Sequence, residues 1–151
     1  ATVAGFSGWK NIVATYDGTT AKIYADADGS TGVTNNTSAT GTTIEYQTSG
    51  PANQIQSLSF GGSLSHAYNY NGLIDNVAIW DVALDQTNIT EVYNSGDPFD
   101  LRSDSGDYNQ SANLIGFWQF EENLGTATAD LAGNAGLASF LNGATWSTTV
   151  I

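Results

Sequence analysis

An antiparallel two-sheet β-sandwich carrying one short helix is the fold class that the sequence predicts, on three observations. Short runs rich in Val, Ile, Tyr, Trp and Thr recur along the 151 residues, separated by Gly and small polar residues. One stretch, residues 85–96, carries a helical period with stop signals at both ends. A hydrophobic share of 40%, including four Trp and seven Tyr, suffices to fill one core of the kind that chains of roughly 100–200 residues build.

The strands are predicted at residues 9–16, 21–25, 43–47, 55–60, 72–80, 114–120 and 138–141. Gln56, Leu58 and Phe60 alternate with Ser57 and Ser59, which gives that strand one wet face. From Leu73 to Trp80 both faces carry large apolar residues, the pattern of a central strand held between layers. Trp9, Trp80 and Trp118 are expected in the core, where strand tryptophans mostly serve burial. Asp17-Gly18, Asn71-Gly72 and Asn142-Gly143 supply residues that tolerate positive φ, as tight hairpins require. Residues 31–50, rich in Thr, Asn, Ser and Gly, read as loops around one weak strand.

The helix signals agree with one another. Asp85 is suited to the N-cap, Leu84 to a hydrophobic staple onto Ile89, and Gly96 to the stop. Ile89, Val92 and Tyr93 make one apolar stripe, so a helix of about ten residues lying against a sheet edge is predicted. The acidic run that follows is polar and unsuited to a helix. It divides the chain into residues 1–96, a connection at 97–111 and a C-terminal segment at 112–151.

Charge narrows the function classes. Lys10, Lys22 and Arg102 stand against 15 acidic residues, for a net charge of -12. Contacts to a phosphate backbone need clustered Lys and Arg, so nucleic acid is excluded as a partner. No apolar run approaches the ~20 residues of a membrane-spanning helix, so membrane insertion is not expected. No basic segment followed by an apolar stretch marks a signal peptide, and because the chain starts at Ala1 rather than Met, further sequence upstream is expected. Without cysteine there are no disulfides or thiol chemistry, and the single His66 builds no histidine cluster. Abundant surface carboxylates suit a hard divalent cation, which makes calcium the ion to consider.

Three blocks carry a family resemblance. The first runs from Trp9-Lys10-Asn11-Ile12-Val13 through Tyr16-Asp17-Gly18 to Lys22-Ile23-Tyr24-Ala25-Asp26. The second is Asn71-Gly72-Leu73-Ile74-Asp75-Asn76-Val77-Ala78-Ile79-Trp80, with Ala83-Leu84 and the helix ending at Tyr93-Asn94-Ser95-Gly96. The third spans Gly116-Phe117-Trp118-Gln119-Phe120-Glu121-Glu122, Asp130-Leu131-Ala132-Gly133-Asn134 and Asn142-Gly143-Ala144-Thr145-Trp146. Together they resemble the laminin-G-like members of the concanavalin A-like lectin/glucanase superfamily, which implies a jelly-roll sandwich. In that pattern the third block opens the domain, whereas here it closes the chain. Truncation of a longer protein, circular permutation, and completion by strands of a neighbouring subunit all accommodate this order; in the last case unpaired edges would be filled by strand addition.

The resemblance implies a binding or structural module at a virion or cell surface, since laminin-G-like tails occur among phage and bacterial surface components. Glucanase members use closely spaced carboxylates on one strand, and none of the strands here carries them. Glu121 and Glu122 are adjacent and so point to opposite faces. No enzyme is therefore expected.

Two candidate sites follow. Asp130 and Asn134, on a Gly-containing loop, have the oxygen chemistry of a structural calcium site, and the resemblance adds Glu121 or Glu122 and Asp75 as partners. Asp26 and Asp28 are a weaker alternative. For glycans, His66, Tyr68, Asn69 and Tyr70 place aromatic and amide groups on one loop. Sequons stand at Asn35, Asn36, Asn88 and Asn109. The leading expectation is an adhesive or structural surface module, oligomeric with its own or neighbouring subunits and contacting glycans. The alternative is a calcium-dependent carbohydrate-binding domain of a modular secreted enzyme.

Overall fold

The computed structural model describes residues 8–25, 39–40, 58–62, 70–141 and 143–148. Among these the regular elements are mostly strands, with one short α-helix, as an all-β fold requires. Strands β1 (Ile12–Tyr16) and β2 (Thr20–Ala25) form an antiparallel hairpin, and β3 (Ala39–Thr40) pairs with β2. Strand β4 (Val77–Trp80) precedes helix α1 (Gln86–Tyr93) and pairs antiparallel with β5 (Leu114–Trp118). A small third ladder joins β6 (Ala127–Thr128) to β7 (Ala138–Ser139).

The β1–β2 turn is fixed by one side chain. Asp17 Oδ1 accepts hydrogen bonds from the Thr19 and Thr20 amides at 2.9 and 2.7 Å and from the Thr19 hydroxyl at 2.8 Å, while Gly18 takes φ 94°. That is the local chemistry which makes Asp-Gly a hairpin signal.

Helix α1 starts as its sequence dictates. Asp85 Oδ1 accepts from the Asn88 amide at 2.8 Å, and Leu84 packs with Ile89 in a core cluster. Its end comes earlier than expected. Asn94 adopts the left-handed conformation (φ 42°) and donates its amide to Thr90 O, closing the last turn before Gly96 is reached. Asn tolerates this conformation better than other residues with a Cβ, so it took the stop role assigned to glycine.

Strand β4 is shorter than predicted. Asn76 at φ 49° breaks the extended backbone, and residues 72–76 lie outside the ladder. Phe120 at φ 60° follows β5, which ends at Trp118. Inside the pair the register shifts between Ile79 and Trp80, so that Trp80 faces Leu114 and Ile115 is the extra residue of a bulge. The bulge turns Leu114 onto the face already occupied by Phe117, and both join one buried cluster with Ala78 and Trp80. On the other face the Trp118 ring lies over Gly116, where a Cβ would meet it at 2.5 Å, and packs against Phe60 at a centroid distance of 5.2 Å with the two rings tilted by 58°. Strand β5 is thus covered on both sides.

Two clusters make the core. Tyr24, Leu84 and Ile89 join the hairpin to the helix, and Leu101, Tyr108, Leu114 and Phe117 join β5 to the connection; Trp80 and Val92 touch both. The connection at 97–111 is therefore more than an acidic boundary. Tyr108 is 0% exposed, accepting a hydrogen bond from Trp80 Nε1 at 3.0 Å and donating one to Leu101 O at 2.9 Å. Asp100 holds Arg102 through two side-chain bonds of 2.8 and 2.7 Å, and Asp104 accepts from the Ser111 amide at 3.1 Å.

Two other expectations change. Trp9, expected in the core, is 41% exposed because it lies ahead of the first residue of β1. The strand predicted at 43–47 and residues 55–57 of the next lie outside the described residues, and 58–60 are not in a described strand.

Candidate functional site

Strand periodicity and register place a mixed polar and apolar surface beside the start of α1. Val13 pairs with Tyr24 and Thr15 with Lys22, so all four share one face of the hairpin. At one end of that face Val13 and Tyr24 pack into the core with Leu84 and Ile89. At the other end Thr15, Lys22 and the turn residue Asp17 remain at the surface. There they line a partly open cavity of about 440 Å³ together with Tyr24, Ala83, Leu84, Asp85 and Gln86. Its volume lies within the range of about 300–1,000 Å³ usual for small-ligand sites.

Both carboxylates of this cavity are held ionised. Backbone donation from Thr20, and the Thr19 hydroxyl and amide, bring Asp17 down to about 2, with Lys22 helping through its charge. The Asn88 amide and side chain bring Asp85 below the usual carboxylate range. In both residues the turn or cap is made by Oδ1, and Oδ2 takes no part in those bonds. The cavity therefore offers carboxylate acceptors, an ammonium, an amide and a hydroxyl, with no carboxylic acid proton at neutral pH. General acid catalysis on a glycoside requires the opposite, a carboxyl raised enough to stay protonated.

Sequence reasoning did not single out this cavity. Its only legible sign was that Thr15 and Lys22 stand at matched positions beside an Asp-Gly turn, on the face that carries Val13 and Tyr24.

The residues expected to bind calcium are divided between two places. Asp130 organises backbone: Oδ1 accepts from the Phe117 and Ala132 amides at 2.9 and 3.0 Å, and Oδ2 from Ala135 and Gly136 at 2.7 and 3.3 Å. Desolvation works against its charge, but the four amides together outweigh it and lower its pKa. Asn134 donates to Leu114 O at 3.4 Å, at the beginning of β5. Asp75 lies beyond the opposite end of the β4–β5 ladder, within electrostatic reach of Glu121. Burial and, to a smaller degree, the Glu121 charge raise the Asp75 pKa, against donation from the Asn76 amide. Glu122 is turned elsewhere: Oε1 accepts from Thr128 Oγ1 at 3.0 Å and the Ala129 amide at 2.7 Å, while Oε2 is buried with no donor among the described residues. Among the described residues no three His, Cys, Asp or Glu side chains converge as metal ligands.

Of the loop expected to contact glycans, only Tyr70 is described; His66, Tyr68 and Asn69 lie outside the described residues, as do Asp26, Asp28, Asn35 and Asn36. Tyr70 is 61% exposed, with its ring beside Gly72. Asn88 is 2% exposed, its amide donating to Asp85 and its carbonyl accepting from the Asn109 amide, so as a sequon it is closed. Asn109 is exposed.

Among the described residues no helix is long and apolar enough to cross a membrane. Neither the curated proteins nor the solved structures compared with the chain include a match. A laminin-G family model described as the concanavalin A-like lectin/glucanases superfamily matches residues 2–90, more than half of the sequence, and takes in the hairpin, β4 and the first turn of α1. With the all-β architecture and the helix that follows β4, this match identifies the chain as a member of the laminin-G-like family of the concanavalin A-like lectin/glucanase superfamily.

Proposed function

We propose that the chain is a non-catalytic adhesive or structural module of a virion or extracellular assembly, built as a two-sheet sandwich and contacting glycans. The superfamily commonly mediates carbohydrate or adhesive binding. One observation carries the choice of binding over hydrolysis: the two cavity carboxylates each accept hydrogen bonds from their own turn or cap, which favours their charged form and leaves this cavity no carboxylic acid to protonate a leaving group. Polar side chains around a partly apolar floor are what a sugar needs from a site that holds it without cleaving it. Assembly with further copies, by addition of strands to open sheet edges, belongs to the same proposal.

A glycan array with the full chain tests the binding, and multi-angle light scattering tests the assembly. Retention of neutral glycans without their turnover is the expected result. Polysaccharide hydrolysis by the purified chain would overturn the proposal.

A calcium-dependent carbohydrate-binding domain is the second reading. The proximity of Asp75 to Glu121 favours it, since a half-buried carboxylate beside a second negative charge gains from a neighbouring cation. Glycan binding that disappears with a chelator and returns with calcium would support it, and binding indifferent to chelator would remove it.

A further inference from the structure

We propose that the cavity between the β1–β2 hairpin and the start of α1 is the saccharide-contacting site, and that it accepts uncharged or amine-bearing sugar units while rejecting carboxylated or sulfated ones. This rests on the glycan-binding reading and adds both the place and the class of sugar. The place follows from convergence. Thr15 and Lys22 face each other across the hairpin, Asp17 lies at its turn, and Asp85 and Gln86 come from the start of α1, so three segments of chain point donors and acceptors into one space of about 440 Å³. The buried Tyr24 and Leu84 supply an apolar floor for the C–H face of a pyranose ring.

The class follows from charge and from lone pairs. Two carboxylates stand against one ammonium in the lining, which leaves the cavity net negative on a chain of charge -12. An anionic sugar would meet like charge at contact distance, where salt screens little across a Debye length of about 8 Å. The cavity carboxylates are acceptors only, so they select hydroxyl and ammonium donors. Vicinal hydroxyls can donate to Asp17 Oδ2, which the turn leaves outside its bonds, and Lys22 and Gln86 can donate to ring and hydroxyl oxygens. Asp17 and Asp85 are already ordered by the turn and the helix cap, so little side-chain entropy is lost when they engage a ligand.

The test is binding of the full chain to an array of neutral, amine-bearing, carboxylated and sulfated glycans, followed by titration calorimetry on the strongest ligand. Variants Lys22→Ala and Gln86→Ala remove cavity groups that fix neither the turn nor the cap, and Tyr70→Ala reports on the other candidate loop. Thermal unfolding checks that each variant folds. The expected result is binding to neutral or amine-bearing glycans, with neutral-glycan binding weakened about tenfold by each cavity substitution, as loss of one hydrogen bond predicts, and unchanged by Tyr70→Ala. Binding lost in Tyr70→Ala alone, or a preference for carboxylated or sulfated glycans, would overturn this inference while leaving the glycan-binding reading in place. An array without any bound glycan would sink both.

Discussion

Carboxylates serve opposite purposes in the two halves of the molecule. In the hairpin and helix region, Asp17 and Asp85 each make their turn or cap through Oδ1 alone, and both residues line an open cavity. In the C-terminal region, Asp130 spends both oxygens on four amides drawn from β5 and the loop after it. Residue type alone cannot separate these uses. The deciding quantity is how many lone pairs remain once the backbone has been satisfied: Asp130 has both oxygens engaged by amides, whereas the Asp17 turn and the Asp85 cap each use one.

This contrast is broken most severely at Asp130. Asp130→Ala strands four amide donors and should cost about 2–4 kcal/mol of stability, measured by denaturant unfolding, with Asp130→Asn intermediate. A loss under 1 kcal/mol would mean that the amides find other partners and that the loop does not depend on this side chain.

The next largest effect is expected in the connection. Tyr108→Phe leaves the Trp80 indole N–H and the Leu101 carbonyl without their partner in a buried site, at a cost of about 1–3 kcal/mol. An unchanged unfolding midpoint would show that the 97–111 segment is not part of the cooperative core. Asp85→Ala should cost about 1 kcal/mol, the usual effect of losing an N-cap, and should shift unfolding while leaving the β4–β5 region intact.

The distinction extends to pH. Asp17, Asp85, Asp100, Asp104, Glu122 and Asp130 have lowered folded-state pKa values, with Asp17 and Asp100 at about 2. Each contributes stability that is present above the unfolded carboxylate value near pH 4 and is lost as pH falls through the folded one. Asp75 runs the other way, because its raised pKa makes the folded state favour the proton and lose stability as pH rises through that range. The wild-type chain should therefore be destabilised progressively below about pH 4, six groups outweighing one. Asp75→Asn should stabilise the chain at pH 7 and have little effect near pH 3; a destabilised variant at pH 7 would show that the Asp75 charge is used.

What was legible in the sequence was local. Asp85, Leu84 and Ile89 lie within five positions of one another, and Asp17-Gly18 closes its own turn, so spacing alone specified both. Tyr108 was not legible, since one aromatic in a polar run has no period, and its partners Trp80 and Leu101 are brought to it by the fold. The part Asp130 plays in the backbone was not legible for the same reason: the Phe117 amide that donates to it lies 13 residues away. The bulge at Ile115, which puts Leu114 and Phe117 on one face, breaks the strand period on which sequence reading relies.

Binding without turnover at the proposed hairpin cavity requires that Asp17 and Asp85 be ionised and unable to donate a proton. A carboxyl-carbon NMR titration of the full chain, with Asp17 and Asp85 assigned, measures this directly. The expected result is that Asp17 titrates near pH 2 and Asp85 below the usual value of about 4. If either carboxyl stays protonated above about pH 6, the site holds a general acid and the module is a hydrolase candidate instead of a binder.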